Sequence, residues 1–127
     1  MAQETLVNPD VVAAQMLTKA LDKRGLAPRA VLWVKASESS TWRLWVVPSV
    51  QQRDKREFYA SVVNAISEDE IKSLESGDVL MVDADHPAIK GLSLFIRADG
   101  VGSIHMSSNI VNGFYLPDAV VVRMALN

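Results

Sequence analysis

The chain has 127 residues, of which 49% are hydrophobic and 22% are charged, and its formal net charge at pH 7 is −2. This length and balance are typical of one folded domain, so we expect a single globular domain over residues 1–127 and exclude an intrinsically disordered chain. The nearly neutral charge excludes a strongly basic nucleic-acid binder, and the absence of cysteine excludes disulfides, thiolate nucleophiles and cysteine-ligated zinc.

The amino-terminal sequence does not read as a secretory signal. Its first ten residues carry Glu4 and Asp10, where a signal peptide would carry cations followed by a long apolar run. The uncharged apolar stretches of the chain are also shorter than the ~20 residues that a membrane helix needs. We therefore expect a cytoplasmic protein that does not insert into a membrane.

The first elements in chain order are a helix and a β-hairpin. Pro9 suits the first turn of a helix and Gly25 suits its end, which predicts a helix over about 9–24. Two segments rich in β-branched and aromatic residues follow at 29–36 and 42–47, with a polar loop between them. This pattern predicts two antiparallel strands.

Two further helices are predicted after the hairpin. Ser49 and Gln52 form an S-x-x-Q capping box, which starts a second helix that runs to about Ile66. Ser67 and Glu70 form another box and predict a short third helix directly behind it.

The rest of the chain is predicted to be mostly strand. Residues 79–82 and 119–126 resemble buried strands, and the tripeptide Ala98–Gly100 predicts a three-residue hairpin loop. That loop would place one set of apolar side chains on a shared inner face: Leu92, Leu94, Ile96, Ile104 and Met106. The fold class is therefore α+β, with a mainly antiparallel sheet of about six strands, three helices packed on it, and the approximate order αββααββββ.

The first hairpin contains the residues that we predict to bind a partner. With a five-residue loop from Ser37 to Thr41, one strand face is apolar core, and the other face carries two indoles and two cations: Trp33, Lys35, Arg43 and Trp45. Such a surface can bind a protein or stack on bases, although a helix covering this face would explain the same residues.

A second candidate site follows the predicted strand at 79–82. Asp83, Asp85 and His86 cluster there, and carboxylates at a strand end are typical of divalent-metal sites or of a general acid and base. The alternative is a solvated loop that Pro87 stiffens. The three residues are therefore candidate catalytic residues and candidate metal ligands.

His105 is a further catalytic candidate, because the predicted register places it near Ser93, Ser103 and Arg97 on the polar face. These side chains would suit a small anion, but half-exposed sheets carry the same residue types for solubility. The glycines form no phosphate-binding loop, so we expect no cofactor.

Three functions remain open from the sequence. The first is a small non-enzymatic binding or accessory module that binds a protein partner or a second copy of itself through the Trp33 and Trp45 face. The second is a metal-dependent hydrolase or phosphotransferase that uses Asp83, Asp85 and His86. The third is a weak single-stranded nucleic-acid binder on the Trp/Lys/Arg surface.

Overall fold

The computed structural model describes residues 6–35, 41–52, 54–111 and 113–126. These residues form one small α+β domain, with a short 3-10 helix at Ser76–Asp78. Its helices and strands are α1 (Asn8–Lys23), β1 (Ala30–Lys35), β2 (Trp42–Val47), α2 (Lys55–Glu68), β3 (Val79–Met81), α3 (Pro87–Ser93), β4 (Ile104–Val111) and β5 (Phe114–Met124). Among the described residues no helix has the length and apolar character needed to cross a lipid bilayer.

The five strands form one mixed sheet in the order β3-β2-β1-β5-β4. Three of the four strand pairs are antiparallel, whereas β2 and β3 run parallel because α2 carries the chain back between them. The α+β class is confirmed. The prediction of about six mainly antiparallel strands is slightly wrong, because the described sheet has five strands and one parallel pair.

The first helix is confirmed within one residue of its predicted bounds. Asp10 stabilises its start, because the carboxylate accepts a hydrogen bond of 3.0 Å from the backbone N–H of Val7. Gly25 follows the helix with a φ of 75°, the left-handed conformation that glycine adopts without strain. The apolar side of α1 packs on the sheet through residues such as Leu17 and Leu21.

The second helix begins later than the capping box at Ser49 and Gln52 predicts. Asp54 is the N-cap, and its carboxylate accepts a hydrogen bond of 3.1 Å from the N–H of Arg56. The predicted third helix after Ser67 is wrong. Glu70 has a φ of 51° at this point, a left-handed conformation that ends the helical path.

The predicted hairpin around Ala98–Gly100 is also wrong. Residues 87–93 form α3, whose start is favoured by Pro87 in the first turn, and the next hairpin joins β4 to β5. Val111 pairs with Phe114, which leaves a two-residue connection in which Gly113 has a φ of 79°. A left-handed glycine at this position is typical of tight hairpin turns.

Helices cover both faces of the sheet. One apolar cluster contains residues of α1 and α2 together with Val31, Trp33 and Leu44. The opposite cluster contains residues of α3 with Leu32 and Trp45. Because β1 is central, its side chains are buried on both sides, and this explains why its sequence is apolar without alternation.

Candidate functional site

The predicted Trp33 and Trp45 surface is not a single face. Leu32 pairs with Trp45 and Trp33 pairs with Leu44, so the two indoles point to opposite sides of the sheet. Both are buried, and the Trp33 Nε1–H donates a hydrogen bond of 3.1 Å to the backbone oxygen of Asp10. The predicted shared face is therefore wrong, since the pairing of Lys35 with Trp42 shifts the register by one residue.

The two cations of the predicted surface are separated in the same way. Lys35 shares the side of Trp33, whereas Arg43 pairs with Val34 on the side of Trp45. The residues 36–40, which contain Ala36 and most of the predicted Ser37–Thr41 loop, lie outside the described residues. Binding of a partner or of single-stranded nucleic acid by these side chains stays a prediction, but they do not form one surface.

A cleft lies instead at the carboxyl ends of the parallel strands β2 and β3. These strands and α2 form a βαβ unit, and ligands of open α/β sheets bind beside the carboxyl ends of such strands. The cleft has a volume of about 710 Å³, within the usual range of small-molecule sites. It is lined by Arg29, Pro48, Ser49, Val50, Gln52, Lys55, Met81, Val82, Asp83, Ala84 and Asp85.

Charges of both signs flank the middle strand at this edge. Arg29 leads into β1 and Asp83 follows β3, so their backbones stand on either side of β2, about 10 Å apart at the usual strand spacing. The Arg29 Nε–H donates a hydrogen bond of 2.8 Å to the backbone oxygen of Pro48, which holds the guanidinium at the cleft. Within the described part of the chain, neither Arg29 nor Asp83 forms an ion pair.

Two polar side chains of the loop after β2 complete the wall of the cleft. Gln52 is buried, and its amide nitrogen donates a hydrogen bond of 2.7 Å to the Ser61 hydroxyl of α2. The Ser49 Oγ is also buried and has no hydrogen-bond partner among the described residues. Gln52 therefore anchors the loop to α2 and holds one side of the cleft in place.

The structure separates the three residues of the predicted acidic cluster. Asp83 and Asp85 both line the cleft, and the Asp85 N–H donates a hydrogen bond of 3.3 Å to the Asp83 carboxylate. His86 instead caps α3, because its Nδ1 accepts a hydrogen bond of 3.1 Å from the N–H of Ala88. Its ring packs edge-on against Trp45 at 4.9 Å, and burial lowers its pKa below the ordinary value.

No group of three His, Asp or Glu side chains in the described residues is arranged to hold a metal ion. Asp85 also forms an exposed ion pair with the ammonium of Lys90 at 3.8 Å, and this cation would compete with a metal ion for the Asp85 carboxylate. The prediction that Asp83, Asp85 and His86 act together as ligands is therefore not supported by their geometry. Metal binding by the two aspartates alone stays a prediction.

The predicted anion site around His105 is not assembled. His105 is exposed on β4, and its Nε2 lies 3.4 Å from the Ser103 hydroxyl. Arg97 instead pairs with Asp99 at 3.1 Å, and the Ser93 hydroxyl donates to the backbone oxygen of Lys90 in α3. A catalytic role for His105 stays a prediction, and Arg97 and Ser93 do not support it because they contact other residues.

Sequence reasoning missed Arg29, Ser49, Gln52 and Lys55 as residues of the site. The order β2–α2–β3 would have placed Ser49 and Gln52, because parallel strands bring the loops that follow them to one edge. Arg29 reaches that edge through the pairing of β1 with β2. Comparison of the chain with protein-family models, with curated proteins and with solved structures finds no match.

Proposed function

We propose that this protein is a binding module that holds a small ligand carrying both an anionic and a cationic group in the cleft at the carboxyl ends of β2 and β3. The observation that carries the proposal is the position of Arg29 and Asp83 on either side of β2, with no described ion-pair partner for either. Opposite charges that do not neutralise each other remain available to a ligand.

The wall of the cleft supports a ligand of this class. Pro48, Val50, Met81 and Val82 contribute apolar contacts between the charged residues, and Lys55 adds a second cation at the start of α2. An anionic group near Lys55 and Arg29 also lies near the positive end of the α2 dipole. The ligand that fits this arrangement has a short apolar chain with a carboxylate at one end and an ammonium at the other.

The hydrogen bond that His86 accepts favours a binding role over catalysis. Its Nδ1 accepts the hydrogen bond that caps α3, so this nitrogen is not free to accept a proton from a substrate. Arg29 is likewise held by the Pro48 carbonyl, which suits a group that orients a ligand. Arg29 and Asp83 would therefore hold and orient the ligand through their charges.

The proposal is tested by nuclear magnetic resonance titration with three matched probes: 6-aminohexanoate, hexanoate and hexylammonium. We expect shifts of the backbone amides of Val50 and Ala84, and 6-aminohexanoate should bind at least about tenfold more tightly than either singly charged probe, because it places a charge at both ends of the cleft.

Variants then assign each end of the ligand. Arg29→Gln should reduce the affinity for 6-aminohexanoate to that for hexylammonium, and Asp83→Asn should reduce it to that for hexanoate. Lys72→Gln is the matched control, because Lys72 is exposed and does not line the cleft. Equal binding of the three probes, or binding unchanged in both cleft variants, contradicts the proposal.

A metal-dependent activity is the second candidate, because Asp83 and Asp85 both line the same cleft. Two carboxylates that bind Mg²⁺ or Mn²⁺ should stabilise the folded protein as the metal concentration rises, and a chelator should reverse this. Asp85→Ala should abolish the stabilisation. An unchanged melting temperature at millimolar metal removes this candidate and leaves the first one standing.

A further inference from the structure

β4 forms one edge of the sheet that the described residues build. β4 is the last strand in the order β3-β2-β1-β5-β4, and no strand in the described part of the chain lies beyond it. It is eight residues long, whereas β3 at the opposite end of the sheet has three. A long unpaired edge presents backbone N–H and C=O groups to which another strand can bind.

The sequence of β4 lacks the features that usually protect an edge strand. Residues 104–111 contain no lysine, arginine, aspartate, glutamate or proline. Proteins that keep an edge unpaired place charges or proline there, or shorten the strand as β3 is shortened. The composition of β4 therefore favours an edge that is paired in the working protein.

Exposed apolar side chains border the start of this edge. Leu94 and Phe95, at the end of α3, are 81% and 78% exposed, and Ile104 is 38% exposed. Phe95 lies three residues before Ala98, which bridges to Met124 on the same side of β5 as β4. Two adjacent large apolar side chains with this exposure offer an apolar contact to a partner.

We infer that the β4 edge binds a second copy of this chain, with the two β4 strands antiparallel around a twofold axis. This pairing would join the two sheets into one and keep α3 of both copies on the same side. It would also bring the turn end of each β4 to the α3 end of the other copy. The sequence beside that turn is apolar, at 110–111 and 114–116, and so matches Leu94 and Phe95 in character.

A second copy suits this edge better than a charged partner. Residues 104–111 contain no lysine, arginine, aspartate or glutamate, so two such edges can approach without repulsion between side chains of these types. A symmetric contact also uses both ends of the edge at once, because each copy offers the apolar end that the other needs. The occupant is therefore the same strand from another molecule.

The test is the mass of the full chain in solution, measured by sedimentation equilibrium between about 1 μM and 1 mM. We expect a monomer–dimer equilibrium with little dependence on salt. Phe95→Glu should raise the dimer dissociation constant at least about tenfold, since aromatic anchors dominate interfaces. Ser107→Lys should act similarly by placing like charges on the paired edges. Val63→Glu is the matched control, because Val63 is an exposed apolar residue of α2.

Hydrogen exchange supplies a second readout that does not depend on a variant being folded. Amide protons of β4 should exchange more slowly as the wild-type concentration rises, while those of β3 should not change. A chain that stays monomeric throughout this range overturns the inference. A dimer that both β4-side variants leave intact, or that only Val63→Glu weakens, overturns it as well.

Discussion

Arg123 and Asp22 form a bidentate ion pair between β5 and α1. The two guanidinium nitrogens donate to the two carboxylate oxygens at 2.7 and 2.8 Å. The same guanidinium also donates to the backbone oxygens of Gly100 and Pro28. One buried side chain therefore connects a helix, a strand and two loops that are distant in sequence.

We expect Asp22→Asn to lower the free energy of unfolding by about 1–3 kcal/mol, because the Arg123 guanidinium would lose its charged partner while its side chain stays only 9% exposed. Urea unfolding at pH 7 measures the change. Lys23→Met is the control, since Lys23 forms an exposed ion pair with Asp69 and should cost less than about 0.5 kcal/mol. Equal losses in the two variants would contradict the importance of the buried pair.

Leu92 and Leu94 should respond very differently to truncation. Leu92 belongs to α3 and is fully buried against the sheet, so Leu92→Ala should destabilise the protein by about 2–5 kcal/mol. Leu94 is mostly exposed, and Leu94→Ala should change stability by less than about 0.5 kcal/mol. Thermal or urea unfolding of the two variants checks the difference, and equal losses would mean that both side chains face the core, as in the strand that the sequence predicts.

His86 should make stability depend on pH. Burial lowers its pKa in the folded state, so the folded protein favours the neutral ring, and this stabilisation is present above the unfolded value of 6.5. It is lost as the pH falls from 6.5 through the lower folded pKa, because protonation removes the Nδ1 acceptor that caps α3.

The pH effect is measured by urea unfolding of the wild type and of His86→Asn between pH 7.5 and 5. Asparagine is a good N-cap that does not titrate, so the variant should lose less stability on acidification. His105→Asn is the control, because it removes an exposed histidine of β4 by the same substitution. A His86→Asn profile that follows the wild type would contradict the assignment.

Trp33 should behave as a core residue. Trp33→Phe removes the hydrogen bond to the Asp10 carbonyl and should cost about 1 kcal/mol, whereas Trp33→Ala should cost about 3–5 kcal/mol. Urea unfolding measures both. In a protein with Trp42→Phe and Trp45→Phe, the remaining Trp33 fluorescence should resist quenching by iodide, and strong quenching would show that the indole is exposed.

The helices and strands that neighbouring residues specify by themselves, such as α1, β1 and β2, are predicted correctly from the sequence. The first helix follows from Pro9 and Gly25, and the strands at 30–35 and 42–47 follow from their β-branched and aromatic residues. Which residues share a face of that hairpin does not follow, because it depends on the length of the loop. A change of one residue in the pairing moves Trp45 to the other side of the sheet.

The region of α3 shows a second limit of local patterns. Leu92, Leu94 and Ile96 alternate with polar or aromatic residues as a strand would, but the His86 cap and Pro87 begin a helix that ends at Ser93. The hairpin instead pairs Val111 with Phe114, and the sequence between them is Asn-Gly, a dipeptide typical of two-residue turns.

The candidate site was predictable only in part. The position of Asp83 and Asp85 after a strand is confirmed, and both line the cleft. Arg29 could not be assigned to the same site from sequence, because it is brought there by the pairing of β1 with β2. A cleft made by separate segments depends on strand order, and strand order is a property of the whole fold.

The central position of β1 has a consequence for how the chain folds as it is synthesised. β1 pairs on one side with β5, and this pairing joins Ala30 to Met124. The ribosome makes β5 last among the described strands, so one edge of β1 stays unpaired until β5 has been synthesised. Pairing between such distant residues is slow, because a long loop must close before any contact forms. The nascent chain is therefore exposed to aggregation through β1 until β5 emerges and pairs with it.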